Sequence, residues 1–187
     1  MTQDILKALE VLKQGGIVLY PTDTHWALGC DATNSDAVEK LHRLKKRNPS
    51  GQILVLMENP ALLDRYVRDV PEIAWDLIEI TTTPLTLVFS RYYNLAENLV
   101  EPGGNIGIRF TREAFSRALV QRFRRPVVAS SANLHGMETP VVFSDIQPEI
   151  INPVDYVVSY RQDDLTPAVS SSIIRLGDGG RIDIIRD

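Results

Sequence analysis

The feature that most constrains this 187-residue chain is its succession of short apolar runs, four or five residues long, set between segments with helical spacing. Ile17–Tyr20, Ile53–Met57, Leu85–Phe89 and Ile106–Phe110 are each too short for a helix of ordinary length and read as buried strands. Ile5, Leu6, Leu9 and Leu12 fall on one helical face before Gly15-Gly16. Ala37, Val38, Leu41 and Leu44 do the same behind Asn34 or Ser35, either of which can cap a helix. Helical stretches are expected at 60–69 and at 71–80, with Pro71 in the first turn. A further helix should carry Ala114, Phe115, Ala118, Leu119 and Phe123 inward, with Thr111 as its cap and Pro126 at its end. Val127–Ala129 is a strand leading into a polar loop at 130–133. Tyr156–Ser159, Ser172–Leu176 and Ile182–Ile185 are also strands, the last two joined by a hairpin turn at Asp178-Gly179-Gly180. Strands and helices mix from end to end, which predicts a mixed α/β (α+β) fold: a twisted mixed β-sheet in three layers, flanked by helices, as one domain over 1–187.

Composition narrows the function classes. No apolar run approaches the roughly 20 residues that span a bilayer, and the N-terminal segment carries acids where a signal peptide has an apolar stretch, so a cytoplasmic protein without membrane contact is expected. Cys30 is a lone cysteine behind an apolar strand end and reads as a small buried residue. The net charge of −4 speaks against a general nucleic-acid binder, but the basic residues are clustered. Lys40, Arg43, Lys45, Lys46 and Arg47 have no acid among them, and six arginines stand between Arg109 and Arg125 with Glu113 as the one acid.

Three polar clusters fall where apolar runs end or begin: Thr22-Asp23-Thr24, Ser130-Ser131-Ala132-Asn133 and Ser170-Ser171-Ser172. Each alone is ordinary turn chemistry. Combined with the basic blocks at strand ends, they describe a polyanion pocket built from side chains. It is neither a P-loop nor a dinucleotide fold, because GxxxxGK[ST] and GxGxxG after a strand are both missing. His25, His42 and His135 are scattered without ligand spacing, so no protein-built metal site is expected; magnesium would arrive with a nucleotide.

Taken in order, YPTDTHWALGCDA (20–32), KKR (45–47), PLTLVF (84–89), IGIRF (106–110), SSANLHG (130–136), SSSII (170–174) and IIRD (184–187) resemble the landmarks of the YrdC-like family of threonylcarbamoyladenylate synthases. The resemblance covers nearly the whole chain and implies a YrdC/RibB-like fold with a large open cleft, in the short form that ends after the arginine landmark. It also implies an enzyme that makes L-threonylcarbamoyladenylate and pyrophosphate from L-threonine, bicarbonate and ATP, for modification of a tRNA adenosine. Carried over, Lys45 and Arg47 would contact ATP phosphates and act in catalysis, Asn133 and Arg186 would lie on the nucleotide side, and Thr24, Arg109, Ser131 and Ser171 would hold threonine. Contact with tRNA or double-stranded RNA and hand-off to a threonylcarbamoyl transferase complex complete the implied partners. The chain departs from the family pattern at His25-Trp26-Ala27, which replaces Val-Tyr-Gly, at Thr82-Thr83, which replaces Pro-Gly, and at Gly51, Leu56, His135 and Arg175. Trp26 reads equally as a core aromatic and as a pocket wall. Two other readings compete: an RNA-binding translation or ribosome-assembly factor using the same basic cleft, and a relative of enzymes that handle carbamoyl phosphate.

Overall fold

The computed structural model describes residues 1–46, 53–100, 104–177 and 181–187. Its order is α1 (Thr2–Lys13), β1 (Val18–Tyr20), β2 (Ala27–Gly29), α2 (Ser35–Leu44), β3 (Ile53–Met57), a 3₁₀ turn (Pro60–Arg65) and α3 (Glu72–Ile80). There follow β4 (Leu85–Phe89), β5 (Ile106–Phe110), α4 (Ala114–Phe123), β6 (Val127–Val128), β7 (Ser130–Ser131), a 3₁₀ turn (Phe143–Asp145), α5 (Pro148–Ile151), β8 (Tyr156–Val157), β9 (Ser172–Leu176) and β10 (Ile182–Arg186).

The mixed α/β class is the expected one, but the strands separate into two sheets instead of one. One has the order β7-β2-β1-β8 and the other β10-β9-β4-β5-β3-β6, and both mix parallel with antiparallel pairs. The reason lies at 127–131. β6 pairs with β3 through Val127 and Val128, the Ala129 N–H donates to the Leu54 carbonyl, and Ser130 and Ser131 then pair with Leu28 and Ala27. The chain therefore steps from one sheet to the other within five residues, and the segment expected to be a polar loop is half strand.

A buried Tyr20 fastens this crossing by donating its hydroxyl to the Val128 carbonyl at 2.9 Å. Gly29 makes room for that contact. A Cβ there would stand 2.4 Å from the Tyr20 ring and 2.8 Å from the Val128 carbonyl oxygen, and neither can retreat without breaking the bond. Gly29→Ala is expected to cost about 3 kcal/mol, the upper range for overpacking, read as a lowered urea midpoint at unchanged m-value.

α1 buries Ile5, Ala8 and Leu12 against α4, β1 and β8. α2 starts where expected, with the Asn34 side chain accepting the Asp36 and Ala37 amides. Two expectations need correction. The stretch 60–69 forms only a 3₁₀ turn to Arg65, because Val67 is drawn into a bridge with Tyr92. α4 is capped by Glu113, not Thr111: the carboxylate accepts the Phe115 and Ser116 amides, and a negative charge suits a helix N-terminus better than a hydroxyl. β9 and β10 pair antiparallel as expected, while their connecting turn at 178–180 lies outside the described residues. Cys30 is fully buried, and burial pushes its thiol pKa up, as befits an inert core residue.

Candidate functional site: a polar row across the larger sheet

Strand register assembles the centre of the site. Leu56 on β3 pairs with Arg109 on β5, Arg109 with Thr86 on β4, Thr86 with Ile173 on β9, and Ile173 with Arg186 on β10. Paired residues project to the same face of a sheet, so two arginines and a threonine stand in one row across neighbouring strands. The facing wall comes from the other sheet and its loops: Thr22, Thr24, His25 and Trp26 beyond β1, and Ala129 and Ser131 at the crossing. Between them lies a cavity of about 350 Å³, closed by Thr139, Ser170 and Ser171.

Of the expected site residues, Thr24, Arg109, Ser131, Ser171 and Arg186 all line this cavity. Lys45 and Asn133 adjoin it through Ser131. The buried Lys45 ammonium, just past the end of α2, donates to the Ser131 carbonyl at 2.5 Å, and the Ser131 hydroxyl donates to Asn133 Oδ1 at 2.5 Å. Arg47 and Gly51 lie outside the described residues. Leu56 is fully buried in the row beside Arg109. Trp26 satisfies both of its readings: it is 8% exposed, packs on Phe143 with ring centroids 4.8 Å apart, and still faces the cavity.

Sequence reasoning missed three parts of the arrangement. Arg109 is 3% exposed, and its Nε stands 3.1 Å from Asp23 Oδ1, a close ion pair whose two atoms lack the alignment of a hydrogen bond. Burial pulls the Arg109 pKa down while Asp23 holds it up; the same burial raises Asp23 against the pull of Arg109. Arg109 Nη2 also donates to Thr22 Oγ1 at 3.4 Å, and that hydroxyl donates to the His25 carbonyl at 2.7 Å. Thr86 shares a 2.9 Å hydroxyl contact with Ser171, whose carbonyl and hydroxyl accept from Arg186 Nε at 2.9 Å and Nη2 at 3.3 Å. The available signal was Thr86 at a polar position inside LTLVF and Arg109 inside IGIRF; which strands they meet is a matter of register.

A second cavity of about 330 Å³, lined by Glu58, Leu85, Leu87, Phe110 and Arg112 among others, uses residues of β4 and β5 that point to the opposite face and holds none of the expected site residues. Among the described residues there is no group of three or more His, Cys, Asp or Glu able to hold a metal ion, and no helix long and apolar enough to cross a membrane.

A mixed α/β fold whose cavity joins guanidinium groups to hydroxyls defines a binder of small anionic molecules that works through side chains instead of a glycine-rich loop. Residues 10–187 match the family Sua5_yciO_yrdC, described as "Telomere recombination", and the chain belongs to that family. It is 30% identical over 157 residues to a threonylcarbamoyl-AMP synthase of Pseudoalteromonas translucida, covering 82% of this chain and 84% of that one. It is also 30% identical over 183 residues to a threonylcarbamoyl-AMP synthase of Coxiella burnetii, covering 94% and 98%. Its fold is that of E. coli YciO (TM-score 0.84, 23% identical, 100% of this chain and 90% of that one). It is also that of P. abyssi Sua5 complexed with L-threonine (TM-score 0.81, 22% identical), where 92% of this chain spans 50% of the longer protein.

Proposed function

We propose that this chain is an L-threonylcarbamoyladenylate synthase, acting in the cytoplasm as one domain over 1–187. The observation that supports it most is the single cavity in which Thr24, Arg109, Ser131, Ser171 and Arg186 converge from five separate segments. The synthase name carried by relatives aligned over most of the chain gives that cavity its reaction.

In this reading the threonine carboxylate sits on Arg109. Asp23 stands against the Arg109 Nε and Thr22 against its Nη2, and together they hold the guanidinium at the cavity wall. Thr24, Ser131 and Ser171 supply hydroxyls for the rest of the amino acid. The threonine amine condenses with bicarbonate, losing water, and gives the N-carboxy compound. The new carboxylate attacks the ATP α-phosphorus and the bond to the β-phosphate breaks, releasing pyrophosphate. Lys45, Arg47, Asn133 and Arg186 serve the nucleotide side, where fixed positive charge offsets charge building on the phosphates. Among the described residues no carboxylate lines the cavity, and Asp23 beside it is paired with Arg109, so magnesium would be held by phosphate oxygens and enter with ATP. Much of the rate advantage comes from holding three reactants in line.

Purified protein given ATP, magnesium, L-threonine and bicarbonate is expected to release pyrophosphate and form the adenylate, with both products lost when threonine or bicarbonate is omitted. Release that ignores threonine refutes the proposal, and a requirement for carbamoyl phosphate in place of bicarbonate points to carbamoyl transfer. Contact with tRNA or double-stranded RNA and hand-off to a transferase complex extend the same proposal. RNA affinity should then fall steeply with salt while threonine-dependent turnover changes little.

A further inference from the structure

The described cavity lining contains hydroxyls, guanidiniums and apolar groups, and one side chain able to exchange a proton near neutral pH: the imidazole of His25. It occupies the turn Thr22–Trp26, fixed from behind by the Thr22 hydroxyl on its own carbonyl at 2.7 Å and by the Thr22–Thr24 hydroxyl contact at 3.1 Å. The charges the ring senses are those of Arg109, from β5, and Arg186, from β10. Burial first, and then these two guanidiniums, lower its pKa, so the ring is neutral and basic at pH 7.

The proposed reaction has a step for such a group. Free threonine carries an ammonium at neutral pH, and an ammonium nitrogen has no lone pair with which to attack carbon. We infer that His25 is the general base that takes a proton from the substrate ammonium, so that the amine can condense with bicarbonate in the cavity. This rests on the synthase reading and names the base within it. The ammonium proton passes to a ring nitrogen, giving an imidazolium. The free amine forms a bond to the bicarbonate carbon, one C–O bond breaks, and water leaves. The imidazolium then returns its proton to solvent. Arg109, which holds the carboxylate in that reading, lines the same cavity as His25, so an amino acid seated on Arg109 would present its nitrogen to the space the imidazole borders.

The test combines the pH profile of kcat/KM for threonine in wild type and His25→Gln with an NMR titration of the three histidines in the wild-type protein. In wild type the acid limb should fall below pH 6.5 and coincide with the His25 titration, since kcat/KM reports groups of the free enzyme. His25→Gln should lose that limb and run about tenfold slower at pH 7, less than the 10²-fold of an obligatory base, because solvent water also deprotonates the ammonium. An unchanged acid limb in His25→Gln, or a limb that does not coincide with His25, overturns the assignment while leaving the synthase reading intact. Wild-type pyrophosphate release that is indifferent to threonine overturns both.

Discussion

Arg109→Met is expected to destabilise the fold by about 3–5 kcal/mol, the cost of leaving one member of a buried ion pair without its partner. Arg109 is 3% exposed and Asp23 13%, so water does little to solvate the remaining carboxylate. Burial already raises the Asp23 pKa with the guanidinium present, and removing that charge raises it further. The sign of the pH dependence follows. A carboxyl whose folded pKa lies above its unfolded value of about 3.9 favours folding below that value and disfavours it as pH rises through the folded pKa. Arg109→Met should therefore be less impaired in urea melts at pH 5 than at pH 8. Asp23→Asn combined with Arg109→Met should recover most of the loss, because the orphaned charge is gone. A loss below 1 kcal/mol, or one equal at both pH values, is incompatible with this account. The double variant, being folded, also tests binding: its threonine kcat/KM should fall about 10²-fold, the worth of a charge-assisted carboxylate contact of up to about 3 kcal/mol.

The same pair shows how far the sequence could be read. Both halves were visible, Arg109 as a charge inside IGIRF and Asp23 inside a polar turn after an apolar strand. Their meeting depends on β5 of one sheet facing the turn that follows β1 of the other, a long-range arrangement that no local period encodes. Helices that bury one face over several turns, α1 and α2, were legible from spacing because burial selects their apolar positions, and β3 was legible as a continuous apolar run that is buried almost throughout. The division into two sheets was not. It turns on a five-residue crossing at 127–131, where VVASS reads as a strand running into a loop until Val128 and Ser130 are seen to pair with different sheets. β2 escaped because Ala27-Leu28-Gly29, ending in a glycine, is too short an apolar run to stand out in the sequence. The choice of Glu113 over Thr111 as a cap was a contest between two good caps two residues apart, settled by charge at the helix end.

The crossing also explains why Lys45 should matter more than its distance from the row of arginines suggests. Its ammonium is buried at the end of α2 and donates to the Ser131 carbonyl at 2.5 Å, with Ser131 Oγ at 3.5 Å, while Ser131 Oγ reaches Asn133. One cation thus holds the segment that carries Ser131 and, two residues on, Asn133, and in the synthase reading it would also bring positive charge toward the nucleotide. Lys45→Ala removes both effects and is expected to lower turnover about 10²-fold, the lower range for losing one preorganised charge-stabilising donor. Lys45→Arg keeps the charge but not the geometry, since a planar fork cannot replace a point ammonium in so close a contact, and should recover only part of the rate. Lys45→Met separates the two contributions: its thermal midpoint reports the lost tether and its kcat the lost charge. Arg47→Ala is expected to lower turnover at least about tenfold, on the same argument from charge alone. If Lys45→Ala and Lys45→Met both turn over at the wild-type rate, Lys45 is a structural cation of the crossing, and the charge opposing the phosphates must come from Arg186 and the arginine at 47.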